Sequence, residues 1–312
     1  MNNQEWLIQY NKLNNSFKKK LVFRIGTDAG FFSEYNNMIF AMLYCLQNEI
    51  KFVLSSKDNK FSIEKGWQDF FLPFTEETLV SFHVRHNNRG WYYNPTRREY
   101  YKIRILRKLF SIDFLTQDLW CYFREPEFWK SKFSIPKLGI SNCNLLEGSR
   151  IIVNNIWNYQ PDVQDIINYK KASIGLPKEY IGVHMRSGDK VTEHKLFSVE
   201  DYMLKVEQVS SCKNIYIATD DYANIVALKK YKGYNIYTVC QEKSTGHVQS
   251  EFDSLNTSSK KEAILDLLAD IDALSNSLAF IGTYSSNIGM YLGMKMGEEN
   301  CHCLDFESWR VW

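Results

Sequence analysis

Apolar positions along this chain keep two periods, one of two residues and one of about 3.6, and the two alternate in blocks. Leu21 to Ile25 is a short apolar run that reads as a strand. Asn36 to Leu46 then spaces Met38, Ile39, Met42, Leu43 and Leu46 along one helical face, and Phe52-Val53-Leu54 gives the next strand. Gly30 stands at the turn of this strand–loop–helix–strand unit. Residues 61–150 keep neither period and are rich in aromatic and basic side chains. Ile151-Ile152-Val153 is expected to form another short strand, and Val163 to Lys170 a helix. Gly175-Leu176-Pro177 then breaks the pattern, so 1–176 and 177–312 are expected to be separate domains.

Beyond that break the alternation is regular. Strands at 180–185, 214–218, 234–239 and 278–282 are expected between helices at 198–209, 222–231, 259–276 and 286–296. Strands alternating with helices are the mark of a doubly wound α/β sheet. The polar, Ser-rich segment Gln241 to Lys260 is expected to be a surface loop.

Composition narrows the function classes. With 312 residues and 45% apolar content there is material for two cores. A formal charge of +2 gives no bulk drive toward nucleic acid or a membrane surface. The seven cysteines show no paired framework and are expected to be reduced thiols. Cys301-His302-Cys303 looks like a metal fragment, but neither a C-x-x-C spacing nor a second cluster accompanies it. The start, MNNQEWLIQYNKL, lacks an apolar signal core, and the longest apolar stretch, Met38 to Leu46, is too short to span a bilayer. These features lead to the expectation of a cytoplasmic protein without a membrane span.

The segment richest in candidate chemistry is YIGVHMRSGDKVTEHKLFSVEDYM, Tyr180 to Met203. An apolar strand delivers His184 and Arg186 to its end, a loop carries Asp189, Lys190 and Glu193, and a helix opens at Ser198. Open α/β sheets bind ligands at such strand ends. An Arg there can hold phosphate oxygens with a forked pair of hydrogen bonds, and a Glu can take a proton from a hydroxyl. A structural Arg–Asp pair closing the loop is the plainer reading of the same residues.

This segment resembles the signature of the eukaryotic core α1,6-fucosyltransferases, in which G-V-H-V-R-R-T-D-K-V, a Thr-Glu pair and E-E-Y-M recur. Two further blocks agree in order: Ile215-Tyr216-Ile217-Ala218-Thr219-Asp220-Asp221, and Ile264-Leu265-Asp266 through Thr283-Tyr284-Ser285-Ser286-Asn287. Upstream, Gly30-Phe31-Phe32-Ser33 is similar to the family's glycine-rich first loop and Gly66-Trp67 to its G-W pair. The resemblance implies two Rossmann-like domains facing a cleft, a GT-B-like glycosyltransferase plan, with the N-terminal domain on the acceptor side. It implies an inverting, metal-independent glycosyltransferase that needs no cofactor and moves fucose from GDP-fucose to a glycan hydroxyl.

Residue by residue, Arg186 matches the first of the family's paired arginines, at the β-phosphate; Ser187 stands where the second would be. Ser286 and Asn287 match a Ser-Gln pair that binds phosphate oxygens, although Ser285-Ser286 also reads as a helix cap. Glu193 matches the family's Glu once a one-residue gap follows Val191, and Asp189 is the alternative base. Lys190 would orient the acceptor or Glu193; His194 has no counterpart. His184 and Asp270 correspond to the pair that reads guanine, since a carboxylate can accept both N1–H and N2–H. Without the family, Asp270 is a solvated helix-face acid. Asp220 and Asp221 close a strand, facing a ligand or capping the next helix. Gly30 and Phe31 complete the nucleotide-sugar candidates. Ser187, and Phe32 in place of a second loop glycine, leave GDP-mannose or UDP-xylose as other donors.

Two motifs carry rival readings. Asp270-Ile271-Asp272 spells the D-x-D metal motif of other glycosyltransferases, but inside a helix alternate carboxylates diverge, so no metal site is assigned. Interleaved basic and aromatic residues over 83–108, including Arg97, Arg98, Tyr100 and Tyr101, could bind single-stranded nucleic acid. A solvated helix face or an acceptor-sugar surface serves the same residues, and the near-neutral charge argues against nucleic acid.

Overall fold

The computed structural model describes residues 1–27, 29–57, 59–90, 94–186, 197–246 and 249–311. The chain forms two compact units, Met1–Gln160 and Pro161–Trp312.

Unit 1 is built on three parallel strands in the order β2-β1-β3: β1 (Lys19–Arg24), β2 (Ile50–Ser55) and β3 (Phe114–Leu115). Leu21 of β1 stands beside Phe52 on one side and Phe114 on the other. Helix α1 (Asn3–Asn14) precedes the sheet, and its Asn14 side chain bonds both the N–H and the carbonyl of Phe52. Between β1 and β2 runs α2 (Phe31–Gln47), buried along nearly its whole circumference. Such a helix is a core element rather than a surface one. The expected strand–helix–strand unit is therefore present.

Residues 61–150 hold more regular structure than their pattern suggested. They contain α3 (Phe82–His86), α4 (Arg97–Leu109), α5 (Thr116–Leu119), α6 (Pro126–Trp129) and an antiparallel pair, β4 (Phe133–Ile135) with β5 (Ile140–Cys143). The expected strand at Ile151-Ile152-Val153 does not form. These residues lie within α7 (Leu145–Ile156), started by Asn144, whose side chain accepts the Glu147 N–H while Glu147 accepts that of Asn144. This reciprocal cap fixes the first helical turn. Leu145, Ile152, Val153 and Ile156 are buried, and Gly148 allows close passage: a Cβ there would lie 3.1 Å from the Leu43 side chain.

Unit 2 begins with α8 (Pro161–Ser173), so the division lies before the 176/177 boundary expected from Gly175-Leu176-Pro177. Lys170 holds Glu262 at 2.6 Å and Asp266 at 2.8 Å, and Lys171 pairs with Asp272. These partners all stand on α12 (Thr257–Ser275), which ties α8 to the second unit. Five parallel strands follow: β6 (Ile181–Met185), β7 (Asn214–Thr219), β8 (Asn235–Tyr237), β9 (Phe280–Gly282) and β10 (Cys301–Cys303). Their order is β10-β9-β6-β7-β8. The chain steps outward from β6 to β8, then returns to the other side of β6, which is the doubly wound arrangement.

Strand alternation sorts the side chains of β6. Ile181, Val183 and Met185 enter a core with Ile215 and Ile217 of β7 and with α9 (Val199–Val209) and α10 (Tyr222–Leu228). Gly182 and His184 belong to the opposite face, where α12 packs. A side chain at 182 would collide with Ser277 and Leu274, so glycine lets the end of α12 approach β6. The surface loop expected over 241–260 is partly helical. It contains α11 (Gln249–Ser254) and the start of α12, capped by Asn256. Helix α13 (Asn287–Met296) joins β9 to β10.

Candidate active site

The carboxyl ends of β9, β6 and β7 lie side by side, because those strands are neighbours in a parallel sheet. The turn in strand order falls between β6 and β9. Crossovers there depart in opposite directions, leaving a crevice beyond the strand ends. The order thus gathers residues that are far apart in sequence. His184 and Arg186 close β6, Asp220 and Asp221 follow β7, and Ser285, Ser286 and Asn287 follow β9.

His184 is buried, and among the described residues its Nδ1 has no hydrogen-bond partner. Burial pushes its pKa down to about 4; the Arg186 cation adds to the fall and Asp220 opposes it. The ring is neutral near pH 7. Buried polar groups without a partner are uncommon in native interiors.

Asp270 comes to the same face of the sheet from α12. Its carboxylate accepts the Tyr216 hydroxyl at 2.6 Å, and Tyr216 pairs with Gly182 of β6, one pleat before His184. The group is half-buried, and burial pushes its pKa up to about 7; the Tyr216 hydrogen bond pulls it down and Asp266 pushes it up. A solvated helix-face acid would not titrate there. Asp272 turns away to Lys171, so the two carboxylates of the D-x-D string serve different partners. Among the described residues no cluster of three or more His, Cys, Asp or Glu is placed to hold a metal. Cys301 and Cys303 are buried strand residues, with His302 between them alternating to the other face.

Several candidates have structural duties. Ser286 caps α13, accepting the Gly289 N–H at 2.9 Å. Asp221 caps α10 through the Ala223 N–H at 2.9 Å. Gly30 and Phe31 stand in unit 1. Gly30 is the residue before α2, and Phe31 joins an aromatic cluster with Tyr35, Phe61 and Phe71, ring centroids 5.4–6.2 Å away. Gly66 and Trp67 border this cluster, with Trp67 stacked 4.3 Å from Phe71. Ser187, Asp189, Lys190, Glu193 and His194 lie outside the described residues.

Two residues of the site escaped sequence reasoning. Tyr216 reads as one more apolar strand position, yet its hydroxyl fixes Asp270. Asp305, just past β10, accepts the N–H groups of Tyr284 at 2.9 Å and Ser285 at 2.8 Å, and so holds the β9–α13 loop. Its partners are backbone groups, which leave no trace in the sequence.

A family model described as alpha-(1,6)-fucosyltransferase N- and catalytic domains matches residues 8–291. The chain belongs to this family. An alpha-(1,6)-fucosyltransferase of Drosophila melanogaster is 23% identical over 288 residues, 86% of this chain. Those residues are 42% of the relative, so this member of the alpha-(1,6)-fucosyltransferase family spans less than half of that protein's length. The fold is similar to fucosyltransferase NodZ from Bradyrhizobium, with TM-score 0.54, 12% identity, and coverage of 93% of this chain and 94% of that one. Similarity extends to NodZ alpha-1,6-fucosyltransferase soaked with GDP-fucose (TM-score 0.50, 14% identity, 89% and 92% covered). An Arabidopsis thaliana FUT1 variant in complex with GDP gives TM-score 0.51 at 11% identity, covering 96% of this chain and 74% of that one. At these identities the likeness establishes the α/β, GT-B-like fold.

Asp270 makes a testable contribution to stability. The native state holds its proton up to about pH 7, whereas an unfolded Asp releases it near 3.9. Stability from this group is therefore highest below pH 4 and declines as pH rises through 7. His184 slopes the opposite way, costing stability as pH falls from about 6.5 toward 4. Asp270→Asn keeps an acceptor for Tyr216 and removes only the first slope. Urea unfolding should find the variant more stable than wild type at pH 8, by about 1–3 kcal/mol, with the difference vanishing near pH 4. A variant less stable at pH 8, or a difference independent of pH, contradicts the assignment.

Proposed function

We propose that this chain is an inverting, metal-independent fucosyltransferase that uses GDP-fucose and a glycan acceptor. The observation that carries the reading is that His184, Arg186 and the start of α13 stand at the carboxyl ends of neighbouring strands, with Asp270 bonded to Tyr216 on the His184 face of the sheet. Unit 2 binds the donor and unit 1 carries the acceptor side. Asp270 accepts the guanine N1–H and N2–H, which uracil does not offer in that geometry. His184 supplies the neighbouring ring nitrogen. Arg186, Asn287 and the first N–H groups of α13 meet the diphosphate, whose charge grows as the glycosidic bond breaks. Asp305 positions that loop without touching the ligand.

In the transfer step the acceptor oxygen attacks the anomeric carbon from the face opposite GDP. The bond to the β-phosphate oxygen breaks, its electron pair leaves with GDP, and the acceptor proton passes to Glu193. Positive charge at the diphosphate comes from Arg186, and the separately engaged Asp270 and Asp272 offer no paired metal ligands. No described helix is long and apolar enough to cross a membrane. All seven cysteines are free thiols, which supports a reducing, cytoplasmic setting.

The nucleotide assignment is tested by thermal denaturation. GDP should raise the melting temperature more than UDP at equal concentration, and Asp270→Asn should erase the preference, since ligands that bind the native state stabilise it. A larger shift with UDP overturns the guanine reading. The base is tested by turnover. Glu193→Gln should slow transfer by about 10²–10⁴ at nearly unchanged donor affinity. Near-normal turnover in Glu193→Gln, with Asp189→Asn inactive at unchanged affinity, assigns the base to Asp189 instead.

A further inference from the structure

The basic, aromatic segment of unit 1 has no part in the donor chemistry, and helix α4 within it is amphipathic in an unusual sense. Its inner side is conventional: Ile103 packs with Val22, Val53, Phe82, Ile112 and Leu115, and Leu106 lies beside them. Its outer side is not. Tyr101, Ile105 and Leu109 are 51%, 68% and 71% exposed, and their i, i+4, i+8 spacing makes one continuous stripe. Exposed Arg98, Lys102, Arg104 and Lys108 border the stripe on both sides. The helix carries six cations against one carboxylate, a concentration hidden by the whole chain's +2.

The nearby acids do not neutralise this face. Glu99 is tied to Thr96 in the helix cap, Asp118 pairs with Arg107 at 2.9 Å, and Asp113 accepts the Lys20 N–H at 2.8 Å. A cavity of about 520 Å³ opens beside the helix, lined in part by Lys18, Tyr100, Arg104 and Lys108. The cap and the Ile103 anchor form the helix in advance, so docking carries little ordering cost.

We propose that α4 docks this chain on an anionic phospholipid bilayer. Tyr101, Ile105 and Leu109 enter the boundary between headgroups and acyl chains, while Arg98, Lys102, Arg104 and Lys108 meet lipid phosphates. Single-stranded nucleic acid would satisfy the cations and Tyr101 but leave Ile105 and Leu109 in water, because stacking needs a ring face. A second copy of the chain would bring two strongly cationic helices together. Of these three occupants the bilayer accounts for both the aliphatic stripe and its cationic border.

Sedimentation of the full chain with phospholipid vesicles tests this. At physiological salt the wild type should bind vesicles with about 30 mol% phosphatidylserine at least about tenfold better than pure phosphatidylcholine vesicles. Lys102→Glu with Lys108→Glu, and separately Ile105→Asp with Leu109→Asp, should each lower that binding about tenfold at an unchanged melting temperature. If the aspartates lower the melting temperature, Ile105→Ser with Leu109→Ser replaces them and should still weaken binding. Equal binding to both vesicle types overturns the proposal. So does loss on charge reversal with full binding retained by the apolar-stripe variants, which would identify a polyanion site.

Discussion

Parallel strands cannot be joined by a tight turn, so every link in the second unit must cross a face of the sheet on a helix or a long loop. Where the direction of crossing reverses, the connections part and leave the strand ends uncovered. In this chain the reversal falls between β6 and β9. That constraint gathers residues from positions 184 to 305 at the carboxyl end of the sheet. The remaining features of the site adjust to it: Gly182 lets α12 pack against β6, and Tyr216 then holds the Asp270 carboxylate on the same face as His184.

This region is organised at a thermodynamic cost. Among the described residues His184 keeps a buried nitrogen without a partner, and Asp270 is held where its charged form is disfavoured. An unsatisfied buried nitrogen and a carboxylate held charged in a buried place each lower stability, although Asp270 does give the buried Tyr216 hydroxyl an acceptor. Asp305 is different, because its carboxylate takes two backbone N–H groups and makes the β9–α13 loop more definite. On the proposed reading, His184 on β6 and Asp270 on α12 stand beside a well-fixed β9–α13 loop, and a nucleotide that supplied their partners would meet a preorganised site.

Much of this was legible in the sequence where one physical signal dominated. The strands and helices of unit 2 have clean periods, and all four expected strands formed. Ile151-Ile152-Val153 misled because three apolar residues fit either period; the decisive signal was Asn144 with Glu147 three positions on. Gly175-Leu176-Pro177 is a genuine break, but it separates α8 from β6 within one unit. The lysines tying α8 to α12 are long-range partners that no local pattern exposes. Asp270 could be nominated by its motif, whereas Tyr216 and Asp305 act through contacts invisible before folding. The exposed stripe on α4 needed the helix's buried side to be known first. A near-neutral total charge concealed it.

The central claim is that the crevice beyond β6 and β9 is a guanine nucleotide site, and a crystal structure with bound GDP tests it most directly. The account predicts the guanine N1–H and N2–H on the Asp270 carboxylate, a ring nitrogen of His184 engaged, and the β-phosphate against Arg186 and the first turn of α13. GDP seated elsewhere, or with its base turned away from Asp270 and His184, would contradict it.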